Sequence, residues 1–156
     1  FGRDLSVGRE IKPIKWRGHS IGPLICFDNV FPFISCAEAR SGAGYLVLMT
    51  NNSWYPMRSG IRQHGDLDVL RAIETRRPLL RCSTTGWSQV VDRRGYITHS
   101  TEQKVGEPRT LAIALKPGTG TTAYMLVGDV FAQVCLVLAL LLAVPPMVGG
   151  RSEGFL

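Results

Sequence analysis

Residues 21–33 read Ile-Gly-Pro-Leu-Ile-Cys-Phe-Asp-Asn-Val-Phe-Pro-Phe. The apolar start of this stretch predicts a buried strand that delivers Cys26 at its end. A short polar turn, Asp28-Asn29, follows, and a helix is expected to begin at Phe33. A sharp strand-to-helix turn can push a thiol out of the core beside backbone N–H groups, and a nearby helix N-terminus favours the thiolate. On spacing alone, the alternative is a buried cysteine that acts as a small hydrophobe.

Further blocks of polar and aromatic residues follow in a fixed order. They are Leu46-Val-Leu-Met-Thr-Asn-Asn-Ser-Trp-Tyr55, Gln63-His64, Arg71-Ala-Ile-Glu-Thr-Arg-Arg-Pro78 and Thr85-Gly86. In this order and spacing, residues 15–116 resemble the carbon–nitrogen hydrolase (nitrilase) superfamily, and within it the periplasmic domain of the apolipoprotein N-acyltransferase family. In that family the corresponding blocks have the approximate sequences I-C-Y-E-x-x-F-P, T/S-N-D-x-W-F, Q-H, R-A-x-E-x-x-R-P and N-x-G.

The chain alternates between strand-like and helix-like runs. The predicted strands are a short one within 11–16, then 21–26, 45–50, 79–84, 87–92 and 110–116, and the predicted helices are 33–40 and 61–76. The second helix carries an apolar stripe of Leu67, Leu70 and Ile73, and its Arg71 can pair with Glu74. A hairpin turn is expected at Asp92-Arg-Arg-Gly95. This alternation predicts an α/β fold. The resemblance implies the C-terminal half of a nitrilase-like α-β-β-α sandwich, followed by one transmembrane helix.

The expected organisation along the chain has four parts. They are a partial carbon–nitrogen hydrolase domain (1–116), a linker (117–123), a transmembrane helix (124–148) and a short tail (149–156). The apolar stretch exceeds the ~20 residues that cross a bilayer. Its uninterrupted core, Val134–Val144, is shorter, so a buried helix of a soluble protein is the alternative. Because Phe1 opens the chain without a signal peptide, the chain is expected to belong to something longer.

Charge and cysteine content limit the partners. The net charge is +6, but no basic module interleaved with aromatics is present, so anionic lipid is a better partner than nucleic acid. The four cysteines form no CxxC pair and the histidines lie far apart, so we expect no metal site. A nucleophilic Cys26 must stay reduced, and we therefore predict no disulfide to it.

The resemblance implies roles for particular residues. Cys26 matches the family's nucleophile, the backbone N–H of Phe27 would help to bind the oxyanion, and Asp28 stands where the family has Glu. Substrate-binding candidates at the pocket mouth are Asn51, Trp54 and Tyr55, and the alternative for the two aromatics is that they are core residues that anchor the loop. His64 is expected to be a structural hydrogen-bonding residue, with a proton shuttle as the alternative. The family's base Glu and its Lys lie before the Cys and cannot be placed here, so the chain alone is expected to be catalytically incomplete.

The implied reaction is acyl transfer without a cofactor. A fatty acyl group would move from a phospholipid through a Cys26 thioester to the N-terminal amine of an apolipoprotein. The alternatives are a hydrolase acting on a small amide or nitrile, and a non-catalytic membrane-anchored remnant. For the acyltransferase, the implied location is the bacterial inner membrane, with the hydrolase domain facing the periplasm.

Overall fold

The structure, a computed structural model, describes residues 8, 10–103 and 109–143. It divides into two compact units, Phe1–Leu126 and Val127–Leu156. The first unit holds the sheet and the helices packed on it, and the described part of the second holds one apolar helix.

Within the described residues, six strands form one mixed sheet in the order β1 to β6. They are β1 (Ile14–Trp16), β2 (His19–Ile25), β3 (Tyr45–Thr50), β4 (Leu79–Ser83), β5 (Gly86–Val91) and β6 (Ile97–Gln103). Strands β2, β3 and β4 are parallel, whereas β1, β5 and β6 are antiparallel to their neighbours. The carboxyl ends of the three parallel strands therefore meet at one edge, where Cys26 follows β2. The predicted α/β fold is confirmed.

The helices cover one face of this sheet. A 3-10 turn, η1 (Cys26–Val30), leads into α1 (Pro32–Arg40), and α2 (Arg58–Thr75) connects β3 to β4. The apolar core between them is fully buried and consists of Leu24, Leu46, Leu48, Ala72, Leu79 and Val91. Helix α1 approaches β2 so closely that a Cβ on Gly22 would lie 2.8 Å from Glu38 Cβ, which only glycine avoids.

The strand predicted at 110–116 is wrong. Residues 110–116 have no regular structure, and β5 pairs instead with β6, which the sequence analysis missed. The expected hairpin turn itself is present, because Gly95 N donates to Asp92 O and Asp92 N donates to Tyr96 O. Apolar residues of the irregular segment, including Ile113, line grooves with Val47 and Leu80 on the sheet face away from the helices. Because the turn is tight, the residues directly after it form the strand that pairs with β5.

The predicted apolar stripe of α2 is not its buried side. Leu70 is 47% exposed and Ile73 40% exposed, while the buried side carries His64, Asp68 and Arg71. These polar residues turn inward because partners on the sheet and on η1 satisfy their hydrogen bonds, as described below. The predicted Arg71–Glu74 ion pair is present at 2.8 Å.

The apolar end of the chain begins with two helices, α3 (Ala123–Val127) and α4 (Val130–Ala143). Between them Gly128 adopts a left-handed φ of +58°, so the helix predicted over 124–148 is interrupted there. None of the helices formed by the described residues combines the length and hydrophobicity needed to cross a membrane. The rest of the predicted span, 144–148, and the tail 149–156 lie outside the described residues.

Candidate active site

Cys26 occupies the junction between β2 and η1 in a backbone conformation that is rare for cysteine. Its φ of +50° lies in the left-handed region, which disfavours side chains with a Cβ by about 1–2 kcal/mol. The residue is half-buried, and its Sγ lies 3.6 Å from the hydroxyl Oγ1 of Thr50 at the end of β3. Such a conformation persists only when the surroundings hold it, and it is characteristic of functional sites.

Asp28 closes the turn that follows Cys26. Its carboxylate Oδ2 accepts a hydrogen bond of 2.8 Å from the backbone N–H of Ile25, and its carbonyl accepts one from Phe31 N. The side chain therefore bridges the last residue of β2 and the middle of η1. This contact accounts for an acidic residue at position 28 independently of any part in chemistry.

His64 contacts the Cys26 turn from helix α2. The ring is buried, and its Nε2 lies 2.7 Å from Asn29 Oδ1 and 3.2 Å from the carbonyl oxygen of Cys26. Its Nδ1 lies 3.0 Å from Nη2 of Arg81, which can only donate. Nδ1 therefore accepts and Nε2–H donates.

The surroundings of His64 also keep it uncharged. Burial, together with the Arg81 guanidinium, lowers the pKa of His64 to about 4. A neutral imidazole with both nitrogens engaged is suited to positioning the turn and unsuited to shuttling protons.

A buried polar network extends this support into the sheet. Both carboxylate oxygens of Asp68 lie within 3.3 Å of Arg81 Nη1, and Gln89 and Asn29 donate to the same carboxylate at 3.1 and 2.7 Å. Burial raises the pKa of the Asp68 carboxyl, against the opposing charge of Arg81. The network connects η1, α2, β4 and β5 next to the Cys26 turn.

The predicted site does not include Asp68, Arg81, Gln89 or Asn29. The sequence contains one indication of the buried network, because His64, Asp68 and Arg71 recur at the i, i+4, i+7 spacing of one helix face. Such a polar stripe is usually solvated, and only the inward-facing polar residues on β4 and β5 reveal that it is buried.

The predicted pocket-mouth aromatics are partly assembled around His64. Phe27 stacks on the His64 ring at 5.7 Å between centroids, Tyr55 lies 6.0 Å from it, and Trp54 stacks on Tyr55 at 4.2 Å. Burial, and secondarily the electrostatic interaction with Cys26, raises the pKa of Tyr55, so its hydroxyl stays protonated. Trp54 is 58% exposed.

Asn51 is held differently from the aromatic candidates. It is exposed, and its Oδ1 accepts hydrogen bonds from Ser53 N at 3.1 Å and from the Thr84 hydroxyl at 2.7 Å. The structure thus connects Phe27 and Tyr55 to the Cys26 turn through His64, and connects Asn51 to the loop after β4. No group of three or more His, Cys, Asp or Glu within the described part of the chain could hold a metal ion.

Most of the chain matches the profile of a known family. The Carbon-nitrogen hydrolase family profile matches residues 2–116. The chain belongs to the carbon-nitrogen hydrolase family. Apolipoprotein N-acyltransferase of Geobacter metallireducens is 36% identical over 140 residues, which cover 90% of this chain and 26% of that protein. The enzyme of the same name from Gloeobacter violaceus is 40% identical, covering 82% of this chain and 23% of that protein. The chain spans about a quarter of the length of the curated relatives it matches.

Solved structures share the fold. The carbon-nitrogen hydrolase from Helicobacter pylori G27 superimposes with a TM-score of 0.59 at 16% identity, covering 65% of this chain and 42% of that one. Saccharomyces cerevisiae Nit3, a member of branch 10 of the nitrilase superfamily, gives a TM-score of 0.55 at 26% identity, covering 64% of this chain and 39% of that one. This chain therefore has a nitrilase-like α/β fold.

Proposed function

We propose that Cys26 is the nucleophile of an acyl transfer and that this chain carries the nucleophile-bearing part of an apolipoprotein N-acyltransferase. The observation that carries the proposal is the left-handed backbone of Cys26 at the carboxyl end of β2. This conformation has an unfavourable free energy, and a thiol that only packed as a small hydrophobe would gain nothing from it. Support for the acceptor class comes from relatives named apolipoprotein N-acyltransferase.

The chemistry proceeds in two halves. The Cys26 thiolate attacks the ester carbonyl of a phospholipid, an S–C bond forms, the ester C–O bond breaks, and the departing alkoxide takes up a proton. The amine of an apolipoprotein then attacks the thioester, giving an amide and returning the thiol. The backbone N–H of Phe27 donates to the oxyanion in each tetrahedral intermediate.

The proton acceptor for this reaction is not His64. Its pKa of about 4 and its two engaged nitrogens make it a poor base at neutral pH. Asp28 is already bonded to the backbone of Ile25. The resemblance implies a Glu base and a Lys that cannot be placed in this chain, so the reaction requires residues outside it.

The exposed aromatics offer a surface for the acyl chain. Phe27 is 45% exposed and Trp54 58%, and both belong to the ring cluster around His64. Amphipathic aromatics of this kind suit a substrate that is apolar at one end and polar at the other. We assign Trp54 and Tyr55 to acyl-chain contact and Asn51 to the polar rim.

The membrane is part of the proposal. Helix α4 is apolar apart from Gln133, and Phe131, Leu141 and Leu142 are exposed by 68% or more. A helix without a polar face is expected to be covered by lipid or protein. We propose that the 124–148 segment inserts in the bacterial inner membrane, with the Cys26 domain facing the periplasm. The net charge of +6 suits anionic headgroups beside it.

A second candidate function uses the same thiol with water as acceptor. The family name and the likeness to Nit3 of the nitrilase superfamily favour a carbon–nitrogen hydrolase acting on a small amide or nitrile. The two candidates differ in the fate of the acyl group and in the donor.

The test is to follow that acyl group. Membranes containing the protein, with the remaining family segments on the same polypeptide or coexpressed, receive a phospholipid with a labelled acyl chain and an apolipoprotein peptide with a free N-terminal amine. The acyltransferase transfers the label to the peptide amine as an amide. Label recovered only as free fatty acid, or hydrolysis of a small amide with no lipid turnover, would contradict the proposal and support the hydrolase.

A further inference from the structure

Thr50 is in direct contact with the sulfur of Cys26. It ends β3, is only 6% exposed, and its hydroxyl lies 3.6 Å from Cys26 Sγ. The same hydroxyl lies 3.2 Å from Oδ1 of Asn52. A threonine hydroxyl has one hydrogen to donate, so it can donate to only one of these two atoms at a time.

The position of the Asn52 oxygen is fixed by its other contacts. Asn52 is fully buried, and its Nδ2 donates to Ser83 Oγ at 3.0 Å and to the carbonyl of Thr85 at 3.4 Å. Oδ1 must therefore point toward Thr50 and toward Nδ1 of His64, 3.1 Å away. Because Nδ1 accepts from Arg81, it supplies no hydrogen to Asn52. The Thr50 hydroxyl is consequently the donor that Asn52 Oδ1 uses in the resting site.

We propose that Thr50 is a catalytic residue whose hydroxyl changes partner as Cys26 ionises. In the neutral state, the Thr50 hydroxyl donates to Asn52 Oδ1 and the Cys26 S–H donates to Thr50 Oγ1. When the thiol loses its proton to a base or to water, the hydroxyl rotates and donates to the thiolate. After the sulfur forms a bond to carbon it carries no charge, and the hydrogen returns to Asn52. Thr50 neither gains nor loses a proton, and the inference rests on the proposed role of Cys26 as nucleophile.

Other charged or titratable groups around Cys26 do not supply this donor. His64, on α2, directs Nε2–H at the Cys26 carbonyl and at Asn29. Asp28, on η1, is an acceptor bonded to Ile25 N, and Arg81, on β4, is engaged with Asp68 and His64. Tyr55 faces the site from the loop after β3, with its pKa raised by burial. Thr50 Oγ1, in contrast, lies within hydrogen-bonding distance of the sulfur.

The experiment measures Cys26 reactivity without any lipid. Wild type, Thr50→Val and Thr50→Ser are alkylated with iodoacetamide from pH 6 to 10, a reaction in which the thiolate forms an S–C bond and iodide leaves. Peptide mass spectrometry follows Cys26 and, in the same sample, Cys82. Cys82 is exposed on the sheet face away from α2 and serves as the internal control. Valine keeps the size of threonine and removes the hydroxyl, and serine keeps the hydroxyl.

We expect Thr50→Val to slow Cys26 alkylation by about threefold to tenfold at pH 7, since a hydrogen bond to a charged group is lost while the less stabilised thiolate is intrinsically more reactive. The deficit should vanish at alkaline pH, where thiols ionise without help. Thr50→Ser should match wild type, and Cys82 should be unaffected. Should Thr50→Val fail to fold, Thr50→Ala against Thr50→Ser makes the same comparison.

Three results would overturn the inference. They are superimposable pH profiles for wild type and Thr50→Val, a deficit that persists equally at alkaline pH, and a Thr50→Ser variant as slow as Thr50→Val. The proposed function fails separately. If the Thr50 effect is present but a phospholipid never acylates Cys26, the acyltransferase proposal is lost while the role of Thr50 toward the thiolate stands.

Discussion

Cys26 depends on its neighbours for its conformation. A φ of +50° is held by the Asp28 carboxylate on one side of the turn and by the His64 Nε2–H on the Cys26 carbonyl on the other. Removing either contact should release strain by letting the backbone relax, and the thiol would then move relative to Thr50. Asp28 and His64 are therefore positioning residues in this account.

Asp28→Ala should destabilise the turn and reduce acylation of Cys26. The lost hydrogen bond from Ile25 N is worth about 1 kcal/mol, measured as the free energy of unfolding in urea. Asp28→Glu, which restores the residue that the family has at this position, should retain or raise acylation. Equal acylation for the Ala, Asp and Glu forms would show that position 28 is only a turn residue.

His64 should make stability depend on pH between about 4 and 6.5. The folded pKa of about 4 lies below the unfolded value of 6.5, so in this window the unfolded state binds a proton that the folded state does not. The contribution of His64 to the free energy of unfolding is fully present above pH 6.5. As the pH is lowered to 4, the free energy of unfolding falls by about 3 kcal/mol. Urea unfolding of wild type and His64→Gln at pH 7 and pH 4 measures this component.

The matched control for that experiment is His99→Gln, since His99 is exposed on β6. It should keep the wild-type pH dependence, whereas His64→Gln should lose the component. A His64→Gln protein with an unchanged pH dependence would contradict the buried, neutral state of His64.

At the scale of elements, α2 is anchored to the sheet by a buried polar network in addition to the apolar contacts of Ala72. The Asp68–Arg81 pair is almost fully buried, and it carries hydrogen bonds from η1 and β5 as well. A buried ion pair contributes little net stability, but breaking it leaves an uncompensated charge.

Arg81→Met alone, or Asp68→Leu alone, should therefore destabilise the protein by about 3–5 kcal/mol in urea unfolding. The double variant should recover part of that loss, since no charge is left unpaired. The control is the exposed pair Arg62–Asp66 on the same helix, where Arg62→Met should change stability by about 1 kcal/mol or less. Equal effects for the two pairs would argue against the buried network.

The elements differ in how well the sequence predicts them. Strand β3 is predicted at 45–50 and found at Tyr45–Thr50, because a continuous apolar run between turns has few alternatives. The run at 110–116 has the same local pattern but no strand, because position in the sheet is decided by the tight turn at Asp92–Gly95. The hydrophobic pattern of a run does not show which of two runs pairs with β5.

The site divides in the same way. Cys26, Phe27 and Asp28 are predicted from one motif, because they are adjacent in the sequence. Thr50 and the buried partners of His64 come together only through the parallel register of β2, β3 and β4. Their polar side chains look like surface residues until the fold places them beneath the turn.

At the scale of the whole molecule, one face of the sheet is less covered than the other. Ile25 and Met49 are 56% and 50% exposed, on the side away from the helices. The resemblance implies an α-β-β-α sandwich, so we expect this face to pack against a second sheet.

The protein should remain in the membrane through an alkaline carbonate wash. Leu138 and Leu141 are exposed on α4. The double substitution Leu138→Arg and Leu141→Arg should release the protein, since each Arg at a bilayer centre is unfavourable by about 3 kcal/mol. Ile at the same two positions is the control and should be retained. A reporter fused after Leu156 should be active in the cytoplasm, and wild-type release or a periplasmic reporter would contradict the arrangement.

The most direct test of the account is the mass of the Cys26 peptide after exposure to phospholipid. The membrane preparation described for the acyl-transfer test receives a phospholipid with a deuterated acyl chain and no amine acceptor, and is then digested and analysed by mass spectrometry. We expect one deuterated acyl group on Cys26, removable by hydroxylamine, absent in Cys26→Ser and unchanged in Cys36→Ser and Cys82→Ser. Acyl label that persists in Cys26→Ser, or that is found on another residue of the wild type, would contradict the central claim.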